Sequence, residues 1–155
     1  MTHPFSRLFT FDAWATRATL ESLVAMDAPP QAAVRWIAHV VGAQEVWWGR
    51  MQDPLVPAEV WPEMELDETA DRHERMVARW AGLLAAAEPA VALDGTLHYA
   101  NTRGERLSTP VADVLTHVVL HGMHHRGQIA AAVRAAGGTP AATDFVHASR
   151  IGMLD

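Results

Sequence analysis

The chain is predicted to fold as an all-α four-helix bundle, with a small β-hairpin between helices 3 and 4 and a short C-terminal helix. Three observations lead there. Apolar residues recur at helical spacing along four long stretches, proline and glycine punctuate the gaps, and one stretch switches to short extended runs around a turn. The 155 residues are read as one domain, 1–155, long enough to bury a real core.

The first helix is predicted from about Ser6 to Met26, where Leu8, Phe9, Phe11, Trp14, Ala15, Ala18, Leu20 and Leu23 fall mostly at helical spacing. Pro29 and Pro30 suit the first turn of a second helix, where no amide is needed, and that helix runs to about Met51. Its expected apolar face is Ala32, Trp36, His39, Val40, Ala43, Val46 and Trp47, which places His39 in the buried stripe. Residues 53–65, with Pro54, Pro57 and Pro62, read as a loop able to cover one end of the bundle. A third helix is expected from about Asp67 to Ala87, its acidic start matching the helix dipole. Val91 to Leu107 reads as the hairpin, with Asn101 to Gly104 as its turn. Thr109 is expected to cap a fourth helix, with Pro110 at its first position and Gly137-Gly138 ending it, roughly 110 to 136. A short helix near Thr143 to Ile151 is expected to pack across the bundle.

Composition removes several function classes. There is no cysteine, hence no thiolate cluster and no cysteine nucleophile. All twelve basic residues are arginine, so Schiff-base chemistry and a Walker-type phosphate lysine are excluded. A formal charge of −6 argues against a nucleic-acid surface. No apolar run reaches membrane-spanning length and no signal-peptide core is present, so a soluble, cytoplasmic protein is expected, with no membrane partner.

The chemistry gathers in the fourth helix, where His117, His121, His124 and His125 crowd nine residues. At about 100° per residue, His117, Gln128, His121 and His125 share a stripe roughly 80° wide, with His124 at its edge. His121 and His125, four apart, can reach a common point. His117 with His121 has the same spacing and His121 with His124 is three apart, so spacing alone leaves the pairing open. The best third donor is His39, from the second helix. Three neutral imidazoles would hold a borderline divalent ion and leave positions open for water or substrate. Rival metal architectures fail on spelling. Neither Glu-x-x-His on two helices nor His-Glu-x-x-His occurs, and no Gly-x-Ser-x-Gly elbow is present.

Two runs carry a family resemblance: His117-Val-Val-Leu-His-Gly-Met-His-His-Arg-Gly-Gln-Ile129 and Ala38-His-Val-Val-Gly-Ala-Gln-Glu-Val-Trp-Trp-Gly-Arg50. Both resemble the DinB family of metal-binding four-helix bundles. Phe11 to Arg17, Asn101 to Glu105 and Gly138 to Phe145 extend the match. The resemblance implies three metal ligands, His39, His121 and His125, an open divalent site for zinc or nickel (iron or manganese as further options), and a homodimer. It also implies chemistry on a low-molecular-weight thiol.

The expected function is therefore a divalent-metal-binding protein with an open three-histidine site. It is read as a metal-dependent transferase or hydrolase-like enzyme using a small thiol or metal-bound water. The alternative is a non-catalytic dimeric metal or small-ligand binding module, or a stress-response sensor. No catalytic residue is assigned: Glu45 faces away from His39, while Asp12 and Glu105 are the remaining candidate bases. Arg126 points away from the histidines and is expected in a structural ion pair with Asp144. Gln128 is expected to bond a ligand imidazole or a bound water. Gly122 and Gly127 each lower helix propensity by about 1 kcal/mol, which implies close approach of a neighbouring helix or chain. Trp47 and Trp48, about 100° apart on the second helix, suggest that a homodimer interface draws on helices 2 and 4.

Overall fold

A computed structural model describes residues 5–53, 59–86 and 93–154. They form helices α1 (Ser6–Val24), α2 (Gln31–Gln52), α3 (Leu66–Ala85), α4 (Val111–Ala135) and α5 (Phe145–Arg150), with strands β1 (Thr96–Ala100) and β2 (Arg106–Pro110) between α3 and α4. The predicted architecture holds: a mainly helical fold with one small hairpin. Among the described residues no helix is long and apolar enough to cross a membrane.

The packing order sets the site. α2 packs chiefly on α4 and α1 chiefly on α3, with α1 also against α4 and α2 against α3. The consecutive helices α1 and α2 touch only lightly. Two apolar clusters fill the bundle. One joins Phe9, Met51, Met76, Trp80, Leu97 and Leu115 near the hairpin, and the other joins Leu20, Leu23, Ala33, Ile37, Ile129 and Val133. Each Leu, Ile, Val, Phe or Met among them, fully buried, contributes about 1.5–3 kcal/mol. At the start of α2 the buried residues are Ala33 and Ile37, whereas Ala32 is exposed. The expected face is thus rotated by one residue there. α5 lies across α1, where Ala148 and Phe145 pack on Phe11 and Ala15.

The hairpin pairs antiparallel with Leu97 opposite Thr109 and Thr96 opposite Pro110. This corrects the expected cap of α4. Thr109 is a strand residue, kept extended by its pairing and by the following proline. Pro110 is the N-cap, with no side-chain cap bond. At the other end the glycine stop is as expected. Gly137 takes φ +79°, and the Gly137 and Gly138 amides donate to the Arg134 and Val133 carbonyls at 3.0 and 2.9 Å. That is a Schellman closure, which favours glycine because of the left-handed residue.

Buried polar groups on three helices share one network. Arg126 Nη1 donates to Asp12 Oδ1 at 2.6 Å and to Thr16 Oγ1 at 3.0 Å, and Gln44 Nε2 donates to Asp12 Oδ2 at 2.7 Å. Asp12 and Arg126 are 2% and 3% exposed. The expected Arg126–Asp144 pair is therefore corrected: Asp144 instead caps α5, accepting from the His147 amide at 2.8 Å. The same network accounts for Gly122. A Cβ there would stand 2.6 Å from Asp12 Oδ1 and 2.8 Å from Arg126 Nη1. A Cβ on Gly127 would meet nothing within 4 Å, so no packing among the described residues demands glycine there.

Candidate metal centre

α2 and α4, side by side, bring His39, His121 and His125 together. One ligand atom from each lies within 4.8 Å of the others. His39 is buried at 5% exposure; His121 and His125 are half-buried. The Nε2 atoms of His39 and His121 face each other at 2.9 Å. Two nitrogens bound to one tetrahedral ion at about 2.0–2.1 Å stand roughly 3.4 Å apart, so a small relaxation would seat an ion. The remaining two histidines of the cluster stay outside. His124 packs its ring on His125 with centroids 5.0 Å apart, and His117 lies against Trp47 and His121 at 5.6 and 5.5 Å.

Two of the three rings are fixed from behind. His39 Nδ1 donates to the Val60 carbonyl at 2.5 Å, and His125 Nδ1 donates to Gln128 Oε1 at 2.6 Å. A proton held on Nδ1 leaves the Nε2 lone pair free, and such outer bonds orient metal-ligating imidazoles. Gln128 thus bonds the imidazole of His125, one of the histidines expected as ligands. Trp61 adds a wall: its ring stacks on His39 at 3.6 Å, nearly parallel. The predicted covering loop therefore does reach the histidines, but Val60 and Trp61 were missed as site residues. The signal was a tryptophan beside Pro62 in the loop following the helix that carries His39.

Electrostatics keep the cluster neutral. Burial, followed by the neighbouring histidines, pushes His121 down to about 3. Burial also lowers His39 against its bond to Val60, and lowers His125 against its bond to Gln128. Neutral imidazole is the form that binds a metal ion. The donor set, the anchored Nδ1 atoms and the neutral state all fit a divalent ion.

The three carboxylates considered as bases are engaged elsewhere. Glu45 bonds Arg72 at 3.2 Å, Asp12 is in the buried network, and Glu105 pairs with Arg103 and Asn101 in the hairpin turn. Beside the cluster lies a cleft of about 290 Å³, lined by His121, His117, Trp47, Arg50, Tyr99 and Asn101 among others. A separate cavity of about 340 Å³, lined by α1 and α3 residues including Trp14, His73 and Trp80, is bordered by none of the three histidines.

The class defined here is a helical bundle whose adjoining second and fourth helices form a three-histidine cluster that could hold a metal ion. The chain belongs to the DinB family, whose pattern matches residues 11–151. It is similar to Protein DinB of Bacillus subtilis (strain 168), with 29% identity over 157 residues, covering 90% of each chain. No solved structure gives a significant match.

Proposed function

We propose that this chain binds a divalent ion on His39, His121 and His125 and acts as a metal-dependent transferase or hydrolase-like enzyme on a small thiol or water. The observation that carries the reading is the pre-set triad: three neutral imidazoles converge, two of them anchored through Nδ1. An ion held there would lower the pKa of a thiol or water brought to it. Nitrogen donors suit zinc or nickel, with iron or manganese as further options. The chain has no cysteine, so any thiol arrives as a co-substrate, and the cytoplasm keeps such thiols reduced. The loop residues Val60 and Trp61 fix His39, while the cleft beside His121 gives the substrate its place.

A second reading, a metal or small-ligand binding module or stress sensor without catalysis, is favoured by one observation: Glu45, Asp12 and Glu105 are all committed to other partners. The deciding experiment loads the protein with cobalt(II) and records its visible spectrum with and without 2-mercaptoethanol. A thiol-dependent spectral change supports the transferase reading. A metal indifferent to thiols removes it and leaves hydrolysis or simple binding.

Either reading includes a homodimer. Leu120 and Met123, 52% and 50% exposed, form an apolar strip with Gly127 on the outer face of α4, and exposed apolar patches mark contacts. Trp48 packs edge-on against Trp80 at 5.5 Å, so Leu120→Glu, which leaves that contact intact, is the test. Light scattering should give about twice the 16.9 kDa chain mass for the wild type and the single-chain mass for the variant. A wild-type monomer would overturn the dimer.

A further inference from the structure

We propose that Arg50 is the docking point for the carboxylate of a small ligand lying in the cleft between α2, α4 and the hairpin. Its opposite end would reach the histidine cluster, and only that end rests on the function proposed above. Arg50 is 6% exposed. Of the two buried arginines among the described residues, Arg126 pairs with Asp12, whereas Arg50 pairs with no acid. Its Nε is buried without a hydrogen-bond partner among the described residues. Buried arginines are ordinarily paired, because a desolvated charge is costly.

The side chain is instead held by aromatic rings. Its Cζ stands over Trp47 at 4.7 Å and over Tyr99 at 4.8 Å. Those contacts position a guanidinium while leaving N–H donors for a planar anion, which arginine binds in a two-pronged manner. Burial pushes Arg50 below its ordinary value, with Tyr99 opposing. An incoming carboxylate would offset the cost of that burial by pairing with the guanidinium. Arg50 and the ligand histidine His121 line the same cleft of about 290 Å³. At about 30 Å³ per water, that space holds roughly ten heavy atoms, the size of a small organic acid. Thr102 and His117 add polar edges along it.

Two measurements test this. In the first, NMR follows the side-chain Nε–H of Arg50 and the indole N–H of Trp47 during titration of the purified protein with hexanoate, then with 1-hexanol. Hexanoate should shift both signals saturably and hexanol should not; an unmoved Arg50 signal overturns the inference. In the second, cobalt-loaded protein is titrated with 6-mercaptohexanoate and with 6-mercapto-1-hexanol, read in the visible spectrum. The acid should bind about tenfold tighter or better, the scale of one charge-assisted pairing. Arg50→Met should erase that advantage without changing the alcohol's affinity, and Arg50→Lys should restore part of it. An advantage that survives Arg50→Met overturns the inference. A protein that takes up no cobalt overturns the metal reading instead, and the hexanoate titration still decides the role of Arg50.

Discussion

His125 and Gln128, three residues apart on α4, are joined by a 2.6 Å bond from the imidazole Nδ1 to the amide oxygen. The bond fixes the imidazole proton on Nδ1 and leaves the Nε2 lone pair free, in a ring whose centroid lies 4.7 Å from that of His39 and 4.5 Å from that of His121. Gln128→Leu should therefore weaken divalent-metal affinity by about 10–100-fold, the usual cost of losing an outer partner of a ligand histidine. Competition with a chelator of known affinity measures this, with circular dichroism confirming an unchanged fold. Unaltered affinity would make the bond incidental.

The buried pair of Asp12 and Arg126 should matter more for stability than for metal. Asp12→Ala strands a buried guanidinium and should cost about 3–5 kcal/mol in urea unfolding. Adding Arg126→Met should recover most of that loss, because removing both charges removes the uncompensated one. A double variant as unstable as the single one would refute this account of the network.

The bundle should not depend on a bound ion. Two apolar clusters run through the four long helices without involving the histidines, unlike a small zinc finger that folds around its metal. Chelation at room temperature should leave the helical circular-dichroism signal largely intact. Its collapse would make the site structural.

Acid should destabilise the metal-free protein, in part through His73. This residue is 1% exposed, and its Nε2 donates to the Ala13 carbonyl at 3.0 Å. Burial lowers its pKa from the usual 6.5, outweighing the Ala13 bond and the Asp12 and Glu74 charges. Between the folded value and 6.5 the unfolded chain binds the extra proton, so stability rises with pH there. The contribution is whole above that unfolded value and is lost as pH falls below it. Urea midpoints should drop between about pH 7.5 and pH 5.5, and His73→Gln should make the drop shallower. A midpoint that holds or rises on acidification would contradict this.

How much was legible in the sequence follows from the range of each interaction. The i, i+4 spacing of His121 and His125 and the place of His39 in an apolar helix are local patterns, and the family motifs selected that set. The hairpin was legible because Asn101 and Gly104 carry turn chemistry; their backbones close the turn with a 2.9 Å bond. Partners distant in the chain were not legible. Arg126 met Asp12, 114 positions away, while the nearer Asp144 was already satisfied as a cap. Thr109 has the right residue type for a cap, but strand pairing to Leu97 overrode that preference. Val60 and Trp61 belong to an irregular segment with no period to read, so their contacts with His39 became visible only in three dimensions.

The central claim is that His39, His121 and His125 together hold the ion. Elemental analysis of the purified wild type and of His39→Ala, His121→Ala, His125→Ala and His124→Ala tests it most directly. The expected result is about one divalent ion per chain in the wild type and in His124→Ala, as for a single three-histidine site, with the other three variants empty. A site that empties in His124→Ala yet stays full in His125→Ala would contradict the assignment.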